Sequence, residues 1–156
     1  MRIENVMSSQ VVTCSPVDSL NRAAQLMWEN DCGCLPVVDE SGTVVGVVTD
    51  RDICMAAYTR GVSLRDASVG SAMSHPVVTC GTQAGIAHVE QLMKEHQVRR
   101  IPVLDELNSG LVGIVTLGDL ARAAEDHGLR GAVTAPGVAR TLASICEPRR
   151  AAAVAA

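Results

Sequence analysis

Two short stretches carry the residue types best suited to chemistry. Thr49-Asp50-Arg51-Asp52 and Thr116-Leu117-Gly118-Asp119 share a Thr-x-x-Asp spacing at the junction between an apolar strand-like run and a helix-like run. An ionised aspartate only accepts hydrogen bonds, whereas two neighbouring sugar hydroxyls both donate, so one carboxylate can hold a vicinal diol. The threonine hydroxyl and the free N–H groups of a helix start suit sugar or phosphate oxygens. The same spacing is a capping box, in which Thr and Asp satisfy the helix start with no ligand. Both readings stand at this point, and they are compatible.

The remaining reactive side chains assemble less well. Cysteines stand at 14, 32, 34, 54, 80 and 146. Cys32-Gly33-Cys34 lacks the two-residue spacing of a zinc knuckle or a thioredoxin motif, and no second close pair accompanies it. The cysteines read first as small buried hydrophobes, with Cys14 and Cys80 as inert thiols rather than redox sensors. His75, His88, His96 and His127 are scattered, and His88 and His96 lie eight apart on an expected helix rather than four. No metal site is expected. No nucleophile–base pair or glycine-rich phosphate loop can be assembled, so the chain does not read as an enzyme.

Composition narrows the class further. Of 156 residues, 47% are hydrophobic and 19% charged, the balance of a globular protein. Trp28 and Tyr58 are the whole aromatic content. Stacking platforms for single-stranded nucleic acid are therefore missing. A net charge of −4 offers no basic field for DNA or RNA. No apolar run approaches the roughly 18 residues that read as a membrane span. Met1-Arg2-Ile3-Glu4-Asn5 is not followed by the apolar core of a signal peptide, so a cytoplasmic location is expected.

The two Thr-x-x-Asp segments sit inside an internal repeat. Met7-Ser8-Ser9-Gln10-Val11-Val12-Thr13-Cys14 returns 66 residues later as Met73-Ser74-His75-Pro76-Val77-Val78-Thr79-Cys80, identical at six of eight positions. The register continues through Gln25-Leu26-Met27 and Gln91-Leu92-Met93, then through Leu35–Glu40 and Ile101–Glu106. Each repeat predicts a strand (Val11–Thr13, Val77–Thr79), then an amphipathic helix, with Leu20, Ala23, Ala24 and Met27 or Ile86, Val89 and Met93 on one face. Ser15, Pro16 and Asp18 suit the opening of the first helix. Two strands joined by a polar turn follow, Leu35–Val38 with Val44–Val48 and Ile101–Leu104 with Leu111–Val115, and then a second helix. The fold class is α/β (α+β), two tandem β-α-β-β-α units related by a pseudo-twofold axis. Residues 1–60 form the first unit, 61–71 a linker, 72–126 the second unit, and 127–156 a C-terminal region. In that region His127–Gly137 reads as a loop, Val138–Cys146 as a short helix, and Ala151–Ala156 as a frayed end.

The repeated unit, with its Leu-Pro-Val-Val-Asp and Gly-Val-Val-Thr-Asp-Arg-Asp-Ile segments, resembles the CBS domain, and the pair resembles a Bateman module. The likeness covers residues 1 to about 125. His96–Val103 and the Ala-Ser-Ile-Cys-Glu-Pro segment at 143–148 also resemble the mycobacterial hypoxic-response type of stand-alone CBS pair. The resemblance implies two clefts between the halves, each able to take an adenosyl ligand such as AMP, ADP, ATP, NAD or S-adenosylmethionine. It also implies association into a homodimer.

By that resemblance one cleft uses Thr116, Asp119 and Arg100 with Gln10, Val12, Cys32, Gly33, Cys34 and Pro36. Its mate uses Thr49, Asp52 and Arg51 with His75, Val78, Val98, Arg99 and Pro102. Val12 or Val78 would pack on the adenine face, although a valine in a strand is commonly plain core. Arg99 and Arg100, adjacent on a strand, are expected on opposite faces. Their counterparts Gly33 and Cys34 are uncharged, so the clefts should differ in affinity. The Thr116/Asp119 cleft is the preferred one, tempered by the uncharged Leu117-Gly118. Apolar residues of the second helices (Ile53, Met55, Ala56, Leu120, Ala123) suggest a dimer face. The function expected is a non-catalytic adenine-nucleotide sensor acting on a protein in trans. The alternative is a stress-response interaction protein with vestigial clefts.

Overall fold

The computed structural model describes residues 1–126, 131 and 133–148. The first repeat supplies helix α1 (Leu20–Glu29), strands β1 (Cys34–Val38) and β2 (Val44–Thr49), and helix α2 (Asp50–Arg60). The second supplies β3 (Cys80–Gly81), α3 (Ile86–His96), β4 (Arg100–Leu104), β5 (Leu111–Thr116) and α4 (Leu117–Glu125), and α5 (Ala135–Ile145) follows. The hairpins share one register. Cys34 faces Thr49 in the first and Arg100 faces Thr116 in the second, and each ladder shifts near its turn. This is the mixed helix-and-strand tandem that the repeat predicts. No helix among the described residues is long and apolar enough to cross a membrane.

Four expected element boundaries move, each for a physical reason. The strand expected at Val11–Thr13 shrinks to one parallel bridge between Cys14 and Val37, and Val77–Thr79 gives way to Cys80–Gly81 on β4. Valine-rich runs favour strands, but pairing forms only where a partner backbone runs alongside. Helix α1 starts at Leu20 with Ser19 as its cap, four residues after Pro16. Asp18 instead turns back and accepts from Ser15 N at 2.7 Å, closing a turn. The freed N–H groups of Leu20 and Asn21 donate to Ala67 O and Leu64 O at 2.8 and 2.9 Å, so a tertiary contact satisfies the helix start. Helix α5 begins at Ala135, inside the expected loop, because a proline in the first turn removes no N–H that the helix needs. Of that expected loop, 127–130 and 132 lie outside the described residues, as do 149–156 with the expected frayed end.

The repeats exchange their leading segments. Ile3 is buried in the core built by α3, β4, β5 and α4, whereas Val69 is buried in the core built by α1, β1, β2 and α2. Ser8 pairs with Ile114 through two 2.9 Å backbone bonds, and Ser74 pairs with Val47 in the same way. The stretch expected as a linker is thus built into the first half, with Ala67 and Val69 buried. Two glycines permit the exchange. A Cβ on Gly46 would stand 2.7 Å from Met73 Sδ, and one on Gly113 would stand 2.5 Å from Met7 Sδ.

Candidate functional site

The cap chemistry of α2 and α4 is formed in full. Thr49 Oγ1 accepts from Asp52 N at 3.2 Å, while Asp52 Oδ2 accepts from Thr49 N and Oγ1 at 2.9 and 2.7 Å. Thr116 and Asp119 repeat this pattern. The capping reading is therefore correct at both positions. The two carboxylates nevertheless differ. Asp119 is buried, and its Oδ1 accepts from Arg122 Nη2 in an ion pair. Asp52 is half-buried, and no hydrogen bond among the described residues ends on its Oδ1.

Asp52 also borders open space. A cleft of about 710 Å³ lies between the two halves. The first repeat lines it with Cys34, Val47 and the Thr49–Asp52 turn, and the second with Ser74, Pro76–Val78 and Gln97–Arg100. Ile145, Cys146 and Glu147, at the end of α5, complete the wall. Arg51, Arg99 and Arg100 all line this cleft, and none makes an ion pair among the described residues. The two adjacent arginines, expected on opposite faces of a strand, both border this cleft. Arg99 lies in a bend ahead of β4, where strand alternation does not yet apply.

Arg100 reaches across to the first repeat. Its Nη2 lies 3.3 Å from where a Cβ on Gly33 would stand, and Asp50 Oδ2 lies 3.0 Å from the same point. Burial pushes the nearby Cys34 thiol up to about 11, a rise that Arg100 opposes and Cys32 and Asp50 reinforce. Cys34 is thus a neutral wall residue rather than a thiolate. On the other side of the cleft, Arg99 Nη2 donates to Cys146 Sγ at 3.5 Å.

The structure brings together Thr49, Arg51, Asp52, Val78, Val98 and Arg99 of one expected set, and adds Arg100 and Cys34 from the other. His75 and Pro102 do not line this cleft. Cys32 and Gly33 line a separate hollow of about 520 Å³ with Trp28, Asp50, Ile53 and Cys54. Gln10, Val12, Pro36, Thr116 and Asp119 line neither hollow. Pro36 and Pro102 are buried strand residues facing Val47 and Ile114. Asp50, Gln97 and the 145–147 segment are wall residues that the repeat pattern does not single out. The last lies outside the repeat, so no internal comparison could mark it.

The apolar residues expected at a dimer face divide between buried and exposed. Ile53, Ala56, Leu120 and Ala123 are buried within their own halves. The exposed apolar side chains nearby are instead Trp28 (88%), Tyr58 (82%) and Met55 (44%).

The doubled hairpin-and-helix unit, with a capping box at each strand-to-helix junction, agrees with the comparison to known families. The model described as "CBS domain" matches residues 3–58 and 69–126. The chain belongs to the CBS domain family. Its two family matches break where the leading segments exchange. The CBS domain-containing protein YhcV of Bacillus subtilis is 40% identical over 121 residues, covering 76% of this chain and 82% of YhcV. Hypoxic response protein 1 of Mycobacterium tuberculosis is 34% identical over 125 residues, covering 80% and 86%. A crystal structure of Hypoxic Response Protein I with two coordinated zinc ions superposes with a TM-score of 0.71 at 34% identity, covering 78% of this chain and 98% of that one. Among the described residues here, no group of three or more His, Cys, Asp or Glu could hold a metal ion. The CBS domain pair of protein MJ0100, in complex with 5′-methylthioadenosine and S-adenosyl-L-methionine, also superposes at a TM-score of 0.71. Its identity is 27%, over 78% of this chain and 94% of that one.

Proposed function

We propose that this CBS pair is a non-catalytic sensor that binds an adenosyl ligand in the cleft beside Thr49 and Asp52. One observation carries the reading. Among the described residues, Asp52 keeps an unengaged carboxylate oxygen at the edge of a cleft of about 710 Å³ whose wall holds three arginines without ion-pair partners. The free oxygen suits a ribose diol, the arginines suit a phosphate, and Val78 and Val98 offer an apolar surface for a base. The MJ0100 pair, which is similar in fold, holds adenosyl ligands in its crystal structure. Asp119, closed by Arg122, is the weaker candidate, which reverses the preference drawn from sequence.

Signalling would follow from differential binding. A ligand that contacts both halves favours the arrangement of the halves that it fits better. The readout is a homodimer, with Trp28, Met55 and Tyr58 as its exposed apolar face, acting on a regulated protein in trans. The free cysteines suit a reducing cytoplasm.

The test is thermal unfolding of the dialysed protein with AMP, ADP, ATP, NAD or S-adenosylmethionine, with Asp52→Ala alongside. A ligand at about 100 times its Kd should stabilise the native state by about 2.7 kcal/mol, roughly 5 to 10 °C in midpoint. That rise should be selective for one ligand and lost in Asp52→Ala. No rise with any of them would move the reading to an interaction protein with vestigial clefts.

A further inference from the structure

Helix α5 lies outside the residues that match the CBS domain, yet its end forms part of the cleft wall. Its placement is firm. Thr134 caps it, Thr141 and Ile145 are buried, and Thr141 Oγ1 donates to Glu90 Oε1 at 3.4 Å. Gln97 Nε2 donates to Glu147 O at 2.9 Å and to Ser144 O at 3.4 Å, tying the helix end to the segment that leads into β4. Arg99 is engaged by Cys146 from the same end. A phosphate that reaches Arg99 therefore meets the α5 terminus beside it.

The charge of the wall then sets a limit. Arg51, Arg99 and Arg100 are matched in number by Asp50, Asp52 and Glu147, so the cleft has no net positive charge to offer a long polyanion. Asp50 and Asp52 are held in the opening turn of α2, where Asp50 Oδ1 accepts from Arg51 N at 2.7 Å. Glu147 is different. It is exposed, makes no ion pair among the described residues, and comes from a segment that the repeats do not contain.

We infer that Glu147, held at the cleft by Gln97, is a specificity residue that restricts the cleft to adenosyl ligands with a short anionic tail, a nucleoside monophosphate over a triphosphate. This rests on the adenosyl reading of the cleft and names the ligand class within it. The added charges of a triphosphate meet a wall with no net positive charge, and Glu147 repels them. A monophosphate carries fewer charges for Glu147 to repel and needs only one arginine.

Titration calorimetry of AMP and ATP against the full chain, Glu147→Asp, Glu147→Gln and Glu147→Lys tests this. The wild type and Glu147→Asp should bind AMP more tightly than ATP. The ratio of the two Kd values should fall about fivefold in Glu147→Gln and further in Glu147→Lys, chiefly through tighter ATP binding. Raising the salt concentration should shrink the differences between variants. Both nucleotides binding with one ratio across all four chains would overturn the role of Glu147 and leave the adenosyl cleft standing. Tighter ATP binding by the wild type would do the same. Failure of both nucleotides to bind any variant would remove the inference together with the nucleotide reading beneath it.

Discussion

Arg122 donates to Asp119 Oδ1 from one turn further along α4, so both oxygens of that carboxylate are engaged within the chain. Its repeat partner Asp52 has Cys54 and Met55 in the following turn, where no cation can make the same bond. A difference of one side chain thus separates two otherwise equivalent capping boxes.

The first prediction follows from that asymmetry. Asp52→Ala should weaken binding of the adenosyl ligand by roughly tenfold or more, the scale of a lost hydrogen bond to a charged group. The loss should be smaller for Asp119→Ala. Each variant should also unfold about 1 kcal/mol more easily, because each loses one side of a capping box. Calorimetric Kd values with urea midpoints on the same samples separate the two effects. Equal losses of affinity at the two positions would place the ligand elsewhere.

The exchanged leading segments make a second prediction. Gly113→Ala places a methyl 2.5 Å from Met7 Sδ and 3.1 Å from Ser8 O, and the backbone atom cannot swing aside as a thioether can. A cost of about 1–3 kcal/mol is expected. Met7→Ala should recover part of it when the two changes are combined, which a double-mutant cycle in urea would read as coupling. Strict additivity would mean that Met7 and Gly113 do not touch in solution.

A third concerns alkaline pH. Burial pushes Cys14 up to about 12, with Asp18 adding to the rise, and Cys80 up to about 11, with Glu106 adding to it. Cys34 is raised in the same direction. The folded state therefore holds these thiol protons after an unfolded chain, near 9.0, has released them. The contribution is complete below about pH 9 and is lost as pH rises toward the folded values, so stability should fall between pH 9 and 11. Urea midpoints at pH 8 and pH 10.5 check the sign. A flat profile would mean that these thiols titrate freely. At pH 8 a thiol reagent should reach the exposed Cys54 and Cys146 far faster than the three buried ones.

A fourth tests the dimer. Trp28 and Tyr58 expose 88% and 82% of their surface on a chain otherwise without aromatic residues. Trp28→Ser with Tyr58→Ser should raise the dimer dissociation constant by at least tenfold, since buried aromatics carry much of the energy of such contacts. Sedimentation equilibrium would show it. An unchanged mass distribution would remove these side chains from the interface.

Much of the fold was legible because the repeat compares the chain with itself. The stripes of α1 and α3, both hairpins and both capping boxes lie at matching offsets, and local pattern alone suffices to place them. The opening of α1 was misread for a physical reason. Ser15-Pro16-Val17-Asp18 has good capping chemistry, but the acceptors that satisfy the true helix start are Leu64 O and Ala67 O, more than forty residues away. Which apolar side chains of the second helices stay exposed was not legible, because an apolar helix side looks the same in sequence whether it meets its own sheet or a partner. Ile53 and Leu120 meet their own.

By itself the sequence determined a doubled β-α-β-β-α-like unit with Thr-x-x-Asp at both strand-to-helix junctions, because periodicity, capping and turn chemistry act within a dozen residues, and the likeness of its motifs pointed to the CBS domain. Tertiary structure decided that the Asp52 junction borders the cleft between the two halves. It also seated Arg99, Arg100 and Glu147 on the same cleft and exchanged the leading segments so that Ile3 completes the core of the second half. These outcomes depend on backbone pairing and side-chain reach between residues distant in the chain. A local pattern holds no record of such distances.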